Sequence, residues 1–157
     1  MQVISDLEKL FFDVFMWYEK AKGPLAIKPA LVIFKGKDRF VEFLQQNSPS
    51  PQDANSEACT IFKMNDKLEI TIAVQNSLSK EPIFVQACIL LHELQHVYEE
   101  TKSGKITFRI LEPKSATKSR EITTWMESLK LTEEYMGKPL PSWVKDYVFA
   151  RLKKELI

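Results

Sequence analysis

Residues 83–96 of the chain read IFVQACILLHELQH, a long apolar run that ends in the sequence His-Glu-Leu-Gln-His. The pattern predicts one long helix, capped by Ser79 and ending near Gly104. Residues four apart lie on one face of a helix about 6 Å from each other, so His92 and His96 can reach the same ion. The chain has no other histidine. The stretch therefore predicts a helix that carries a metal site.

The HExxH pattern also predicts a reaction. Two histidines at this spacing suit a tetrahedral zinc ion, and Glu93 points about 100° round the helix from His92, beside the metal rather than on it. A carboxylate there can act as general base toward a water that zinc activates. The alternative is that both histidines are ordinary residues without a metal. The opposite face of the helix is expected to pack into the core through Ile83, Leu90, Leu94 and Val97.

A third ligand must come from outside the motif, since catalytic zinc keeps three protein ligands and a water. Cys88 shares the face of the histidines, but ligands at i, i+4 and i+8 would spread over about 12 Å. Cys88 is therefore expected in the core. Glu121, 25 residues beyond His96, is the preferred carboxylate because it opens the next long helix. The alternative for Glu121 is a helix N-terminal acid stabilised by the dipole.

Three other acids compete with that choice. Glu112 precedes a proline in an expected loop, Glu127 points away from the face of Glu121, and Glu99 shares the motif helix and can only support a ligand from behind. Glu121 is therefore the predicted third ligand.

The rest of the chain predicts an α+β fold. Two polar-apolar patterns at 59–64 and 68–74 predict a hairpin, and the alternation of Leu68–Val74 favours a half-exposed edge strand. The other predicted elements are a helix over 7–18, a strand over 30–34, a helix from Asp38, a strand over 106–110, a loop over 112–118, a helix over 119–136 and a last helix over 141–155.

Residues 1–157 are expected to form a single domain. In it, a small antiparallel or mixed sheet packs against the motif helix and the helix that bears Glu121, with extra N- and C-terminal helices. At this length a core needs no metal to hold it, so a metal would serve chemistry.

Composition limits the partners. Twenty-two basic and 21 acidic residues give a net charge of +1, which favours neither a nucleic-acid nor a membrane partner. The two cysteines fall in apolar runs, and no signal peptide or membrane span is recognisable, which predicts a cytoplasmic protein.

HELQH, followed at moderate distance by SREITTW (119–125), resembles the gluzincin metallopeptidases. The short chain, with the strand Leu68–Val74 just before the motif, resembles their compact members, the minigluzincins, over roughly residues 58–136. The resemblance implies zinc held by His92, His96 and Glu121, with Glu93 as catalytic base. It also implies that an extended peptide substrate lies along Leu68–Val74, as strand addition to an exposed edge would allow.

The sequence departs from thermolysin-like enzymes at one position. Those enzymes place an aspartate four residues after the ligand glutamate, where it orients a ligand histidine, whereas this chain has Trp125. Thr124 or Ser128 is expected to supply part of that support, and Trp125 is expected to pack against the motif helix. The group that stabilises the oxyanion stays open between Tyr98, Arg109, Arg120 and Tyr147.

The leading hypothesis is a zinc-dependent endopeptidase that hydrolyses a protein or peptide substrate. The alternative is a catalytically silent zincin-like module that binds or regulates a partner, against which the intact Glu93 argues. A third hypothesis, a nucleic-acid regulator, depends on the basic residues of the last helix. Acidic residues are interspersed among them, so a solvated helix face is the preferred interpretation.

Overall fold

The computed structural model describes residues 6–47, 57–64, 66–103 and 114–155. It contains α1 (Asp6–Lys22), β1 (Ala30–Phe34), α2 (Lys37–Asn47), β2 (Ala58–Met64), β3 (Leu68–Gln75), a 3-10 helix (Asn76–Lys80), α3 (Ile83–Ser103), α4 (Lys114–Met136) and α5 (Ser142–Glu155). The α+β class predicted from the sequence is confirmed. None of the described helices combines the length and the apolarity needed to cross a membrane.

The three strands form one mixed sheet in the order β1-β3-β2. β2 and β3 pair antiparallel as the predicted hairpin, whereas β1 runs parallel to β3, with Ala30 opposite Thr71. The prediction of Leu68–Val74 as an edge strand is therefore wrong, because β3 is the central strand. Side-chain alternation reports what covers the two faces of a strand, whereas its neighbours are set by backbone hydrogen bonds that the pattern does not encode.

The sheet packs on both faces. Ile70, Ile72 and Val74 of β3 join the main core, to which α1, α3, α4 and α5 contribute. Ala73 points to the other face, where it meets Phe40 of α2 in a smaller core. Both cysteines are buried in these cores and neither forms a disulfide, as the sequence predicted.

The motif helix starts later than the sequence predicted. Ser79 lies in the 3-10 helix and donates to the carbonyl of Asn76, so it does not cap α3. The carbonyl of Pro82 instead accepts the first bonds, from the amides of Val85 and Gln86. At this terminus Ile83 is 45% exposed, contrary to its expected place in the core. The other three residues of the expected core face, Leu90, Leu94 and Val97, are fully buried.

α4 begins at Lys114, whereas the sequence predicted a loop as far as residue 118. Glu121 is therefore about two turns into the helix rather than in its first turn. The predicted end is confirmed, because Gly137 has a positive φ of 72° and the amides of Gly137 and Lys138 both bond the carbonyl of Glu133. The predicted strand at 106–110 and the candidates Arg109 and Glu112 lie outside the described residues.

A row of short polar side chains on α4 faces α3. Thr124, Ser128 and Thr132 are fully buried, and each hydroxyl donates to the carbonyl four residues earlier. Because these bonds satisfy the hydroxyls locally, the side chains can be buried in a close helix contact. Thr124 also bonds Glu99. Thr132 bonds the Cys88 thiol, whose pKa burial raises to about 12. These pairings show that α3 and α4 run antiparallel.

Ser128→Leu should push the two helices apart. Overpacking a filled contact costs about 1–3 kcal/mol of unfolding free energy, measured by chemical denaturation. Lys130→Leu adds a similar side chain at an exposed position of the same helix and should change stability by no more than about 0.5 kcal/mol. Equal stability of the two variants would show that the helices do not depend on this close approach.

Candidate metal centre

His92 and His96 meet at one point of α3. Both side chains are buried, and their Nε2 atoms are 3.0 Å apart. The two rings are nearly perpendicular, at 84°, with centroids 4.4 Å apart. The helical spacing predicted that both rings share a face. The structure adds that the Nε2 atoms of the two rings point toward each other.

Glu121 of α4 completes the group. Its Oε1 atom is 2.9 Å from Nε2 of His96, and its Oε2 atom is 3.4 Å from Nε2 of His92. Burial alone would raise the pKa of Glu121, but charge attraction and hydrogen bonds from His96 and His92 outweigh burial and hold the pKa well below its usual range. The carboxylate is therefore ionised at neutral pH, which is the state that binds a metal.

The spacing of these atoms fits a metal ion. A tetrahedral ion with bonds of 2.0–2.1 Å keeps its ligand atoms about 3.3 Å apart, close to the 2.9–3.4 Å observed between the imidazole nitrogens and the carboxylate. Within the part of the chain that the structure describes, no other group of histidine, cysteine, aspartate and glutamate brings its donor atoms together in this way. His92, His96 and Glu121 can therefore hold a metal ion.

Trp125 lies one turn beyond Glu121 and stacks on His92. The ring centroids are 3.8 Å apart and the planes differ by 17°. Trp125 thus packs against the motif helix, as the sequence predicted. The side chain that covers His92 at this position is therefore an aromatic ring.

A chain of hydrogen bonds joins α1, α3 and α4 next to the motif. The Tyr18 hydroxyl donates to Gln95, whose amide donates to Glu99, and Glu99 also accepts from Thr124. Burial raises the pKa of Tyr18 far above its usual value, so its hydroxyl keeps the proton that it donates. The contact of Tyr18 with Gln95 is not predictable from the sequence, since 77 residues separate them. The only sign of this contact in the sequence was that a polar residue, Gln95, lies inside the motif.

The expected support from Thr124 and Ser128 takes a different form. Thr124 donates to the carboxylate of Glu99 on α3, and Ser128 donates to the backbone carbonyl of Thr124 on α4. The described bonds of these two hydroxyls therefore end on an acid of α3 and on the backbone of α4. Next to Glu121, Arg120 pairs with the buried Glu100 of α3 at 3.3 Å. Two side-chain bridges therefore hold α4 to α3 around Glu121.

The backbone of Glu93 joins α3 to the sheet. Its side chain is buried, and its backbone carbonyl accepts a bond of 3.4 Å from the Thr60 hydroxyl of β2. Among the described strands, β2 lies at an edge of the sheet. The edge strand next to the motif is therefore β2 rather than β3.

The residues considered for the oxyanion have other described contacts. Tyr98 packs edge-on against Tyr18, and Arg120 pairs with Glu100. Tyr147 of α5 bonds Glu57, which also pairs with Arg151, and burial raises the pKa of Tyr147. These contacts assign none of the candidates to the oxyanion.

The chain matches no protein-family model, and searches of the curated proteins and of the solved structures gave no significant match. Support for a metal centre therefore comes from the geometry of its own side chains.

Removing any of the three donors should release the metal. We expect the wild type to bind one zinc per chain, His92→Ala and His96→Ala to bind none, and Glu121→Ala to lose more than the roughly 10- to 100-fold typical of residues behind the ligands. Glu127→Ala, which removes a surface acid of the same helix that pairs with Lys22, is the control. Zinc content and affinity by competition with a chelating dye would measure this, and Glu127→Ala weakening zinc as much as Glu121→Ala would exclude Glu121.

Acidification should also release the zinc. Because the pKa of Glu121 is held well below its usual range, the carboxylate stays charged, and protons compete with zinc only at the two imidazoles. Lowering the pH from about 7.5 to about 5.5 should therefore weaken binding steeply, as up to two protons are displaced per metal. Calorimetric titration in buffers of different ionisation enthalpy counts these protons. An affinity that does not change over this range would contradict binding by the histidines.

Proposed function

We propose that the protein is a zinc-dependent peptidase in which His92, His96 and Glu121 hold the ion and Glu93 is the general base. The observation that carries the proposal is the convergence of two imidazole nitrogens and one carboxylate from two different helices. Two nitrogens and one oxygen are the donor set of a catalytic zinc site, which keeps a fourth position for water, whereas structural zinc sites close all four positions with side chains.

The residues of the chain would divide the reaction between them. Zinc, when bound, would lower the pKa of the attacking water and polarise the peptide carbonyl. Glu93 follows His92 directly on α3, so its carboxylate leaves the helix beside the ligands and can take the proton of that water. The same carboxylate then gives the proton to the leaving amine.

The sheet supplies the place for a peptide substrate. An extended peptide can add to a sheet only at an edge strand. Of the two strands at the edges of the described sheet, β2 is the one bonded to the motif helix, through Thr60 and the carbonyl of Glu93. The expected substrate strand therefore moves from Leu68–Val74 to Ala58–Met64. The substrate is proposed to be a protein or peptide that binds in extended form along β2.

Glu93→Gln should retain zinc and lose hydrolysis. Glutamine has nearly the same shape but cannot accept the proton, so the rate should fall about 100- to 10,000-fold. The assay follows cleavage of unfolded casein and of a quenched-fluorescent peptide pool by the zinc-loaded protein. Glu134→Gln makes the same change at an exposed position of α4 and should cleave at the rate of the parent.

Two results would contradict the proposal. Cleavage by Glu93→Gln at the parental rate would exclude Glu93 as the base. A zinc-loaded wild type that cleaves neither substrate nor any protein of a lysate, as surveyed by new N-termini, would favour the silent binding module.

A further inference from the structure

The contact between Trp125 and His92 places a rigid aromatic surface directly on a metal-ligand ring. The planes are 17° from parallel with centroids 3.8 Å apart, so the indole covers one face of the imidazole. Trp125 is itself buried in the main core. The surface that covers His92 is therefore held in place by the packing of α4.

The imidazole needs such a surface to keep its direction. The terminal torsion of a histidine is broad, so the backbone of α3 alone does not fix where Nε2 points. Turning the His92 ring would drive it into the indole. With the indole in place, Nε2 stays 3.0 Å from Nε2 of His96 and 3.4 Å from Glu121.

The residue that covers His92 and the proposed third ligand come from the same helix. Glu121 and Trp125 are one turn apart on α4, which puts them on one side of it. A single docking of α4 onto α3 therefore delivers the carboxylate and orients the imidazole that it meets. A ligand histidine is commonly oriented by a hydrogen bond to a carboxylate or carbonyl, whereas the indole acts through its flat face and adds no charge.

We propose that Trp125 is a positioning residue that preorganises the metal centre by holding the ring of His92. The inference rests on the metal centre of the proposed function, but not on peptidase activity. Its consequence is that metal affinity depends on a flat side chain at position 125. A second consequence is that a metal bound at His92 lies close enough to the indole to change its fluorescence.

Cobalt tests both consequences, because its visible absorption reports ligand geometry and its unfilled d shell quenches a nearby indole. The experiment titrates Co²⁺ into the wild type, Trp125→Phe, Trp125→Leu and Trp125→Ala, following absorption and tryptophan emission on samples shown to be folded by circular dichroism. Leu129→Ala removes buried apolar volume one turn further along α4 and is the control for packing alone. Trp143→Phe removes an exposed tryptophan of α5 and is the control for emission.

In the wild type, Co²⁺ should give a tetrahedral absorption band and quench part of the emission. Trp125→Phe should bind with nearly parental affinity but lose most of the quenching, whereas Trp143→Phe should keep it. Trp125→Ala and Trp125→Leu should bind about 10- to 100-fold more weakly, with a changed band. Leu129→Ala should keep the parental affinity and band. Trp125→Leu retains apolar volume, so it decides the matter if Trp125→Ala does not fold.

Parental affinity and band in Trp125→Leu would overturn the inference while leaving the metal centre intact. Equal weakening by Leu129→Ala would also overturn it, since the effect would then be loss of packing. A wild type that takes up no Co²⁺ would instead overturn the metal centre, and the inference with it.

Discussion

The close antiparallel contact of α3 with α4 is the constraint on which the candidate site depends. α3 supplies two imidazoles from one local motif, but the carboxylate that meets them arrives only when α4 lies against it. Short, internally bonded side chains at Thr124, Ser128 and Thr132 make that approach possible. The bonds of Thr124 to Glu99 and of Arg120 to Glu100 fix the helices on either side of Glu121.

Burial of two imidazoles and a carboxylate is costly unless their charges and hydrogen bonds are matched. Here the imidazoles face the carboxylate, and a divalent cation between them would complete the match. Functional sites typically bury polar groups in parts of a core that apolar residues could fill more stably. The donors also lie on helices rather than on loops, which keeps their spacing close to that of a metal complex.

Much of the site was predictable because its chemistry is local in sequence. The spacing of His92 and His96 fixes their common face, and because the chain has no third histidine, an acid was the predicted third ligand. The prediction that Glu121 joins them is matched by its position next to both rings. The place of Trp125 followed from that choice, since it is one turn from Glu121.

The features that the sequence did not predict correctly are mostly contacts between residues far apart in the chain. The alternation of Leu68–Val74 describes its faces, so it could not show that β1, more than 30 residues away, covers its other edge. The bond of Tyr18 to Gln95 joins residues with no sequence relation that periodicity can detect. Ser79 is a residue type that commonly caps helices, but its hydroxyl donates to the carbonyl of Asn76 within a 3-10 helix instead.

The most direct test of the metal centre is diffraction from crystals grown with zinc, with data collected on both sides of the zinc absorption edge. The account predicts one anomalous peak, bonded at about 2.0–2.2 Å to Nε2 of His92, Nε2 of His96 and a carboxylate oxygen of Glu121. A peak bonded to other residues, or a Glu121 side chain turned away from a zinc held by the two histidines, would contradict it.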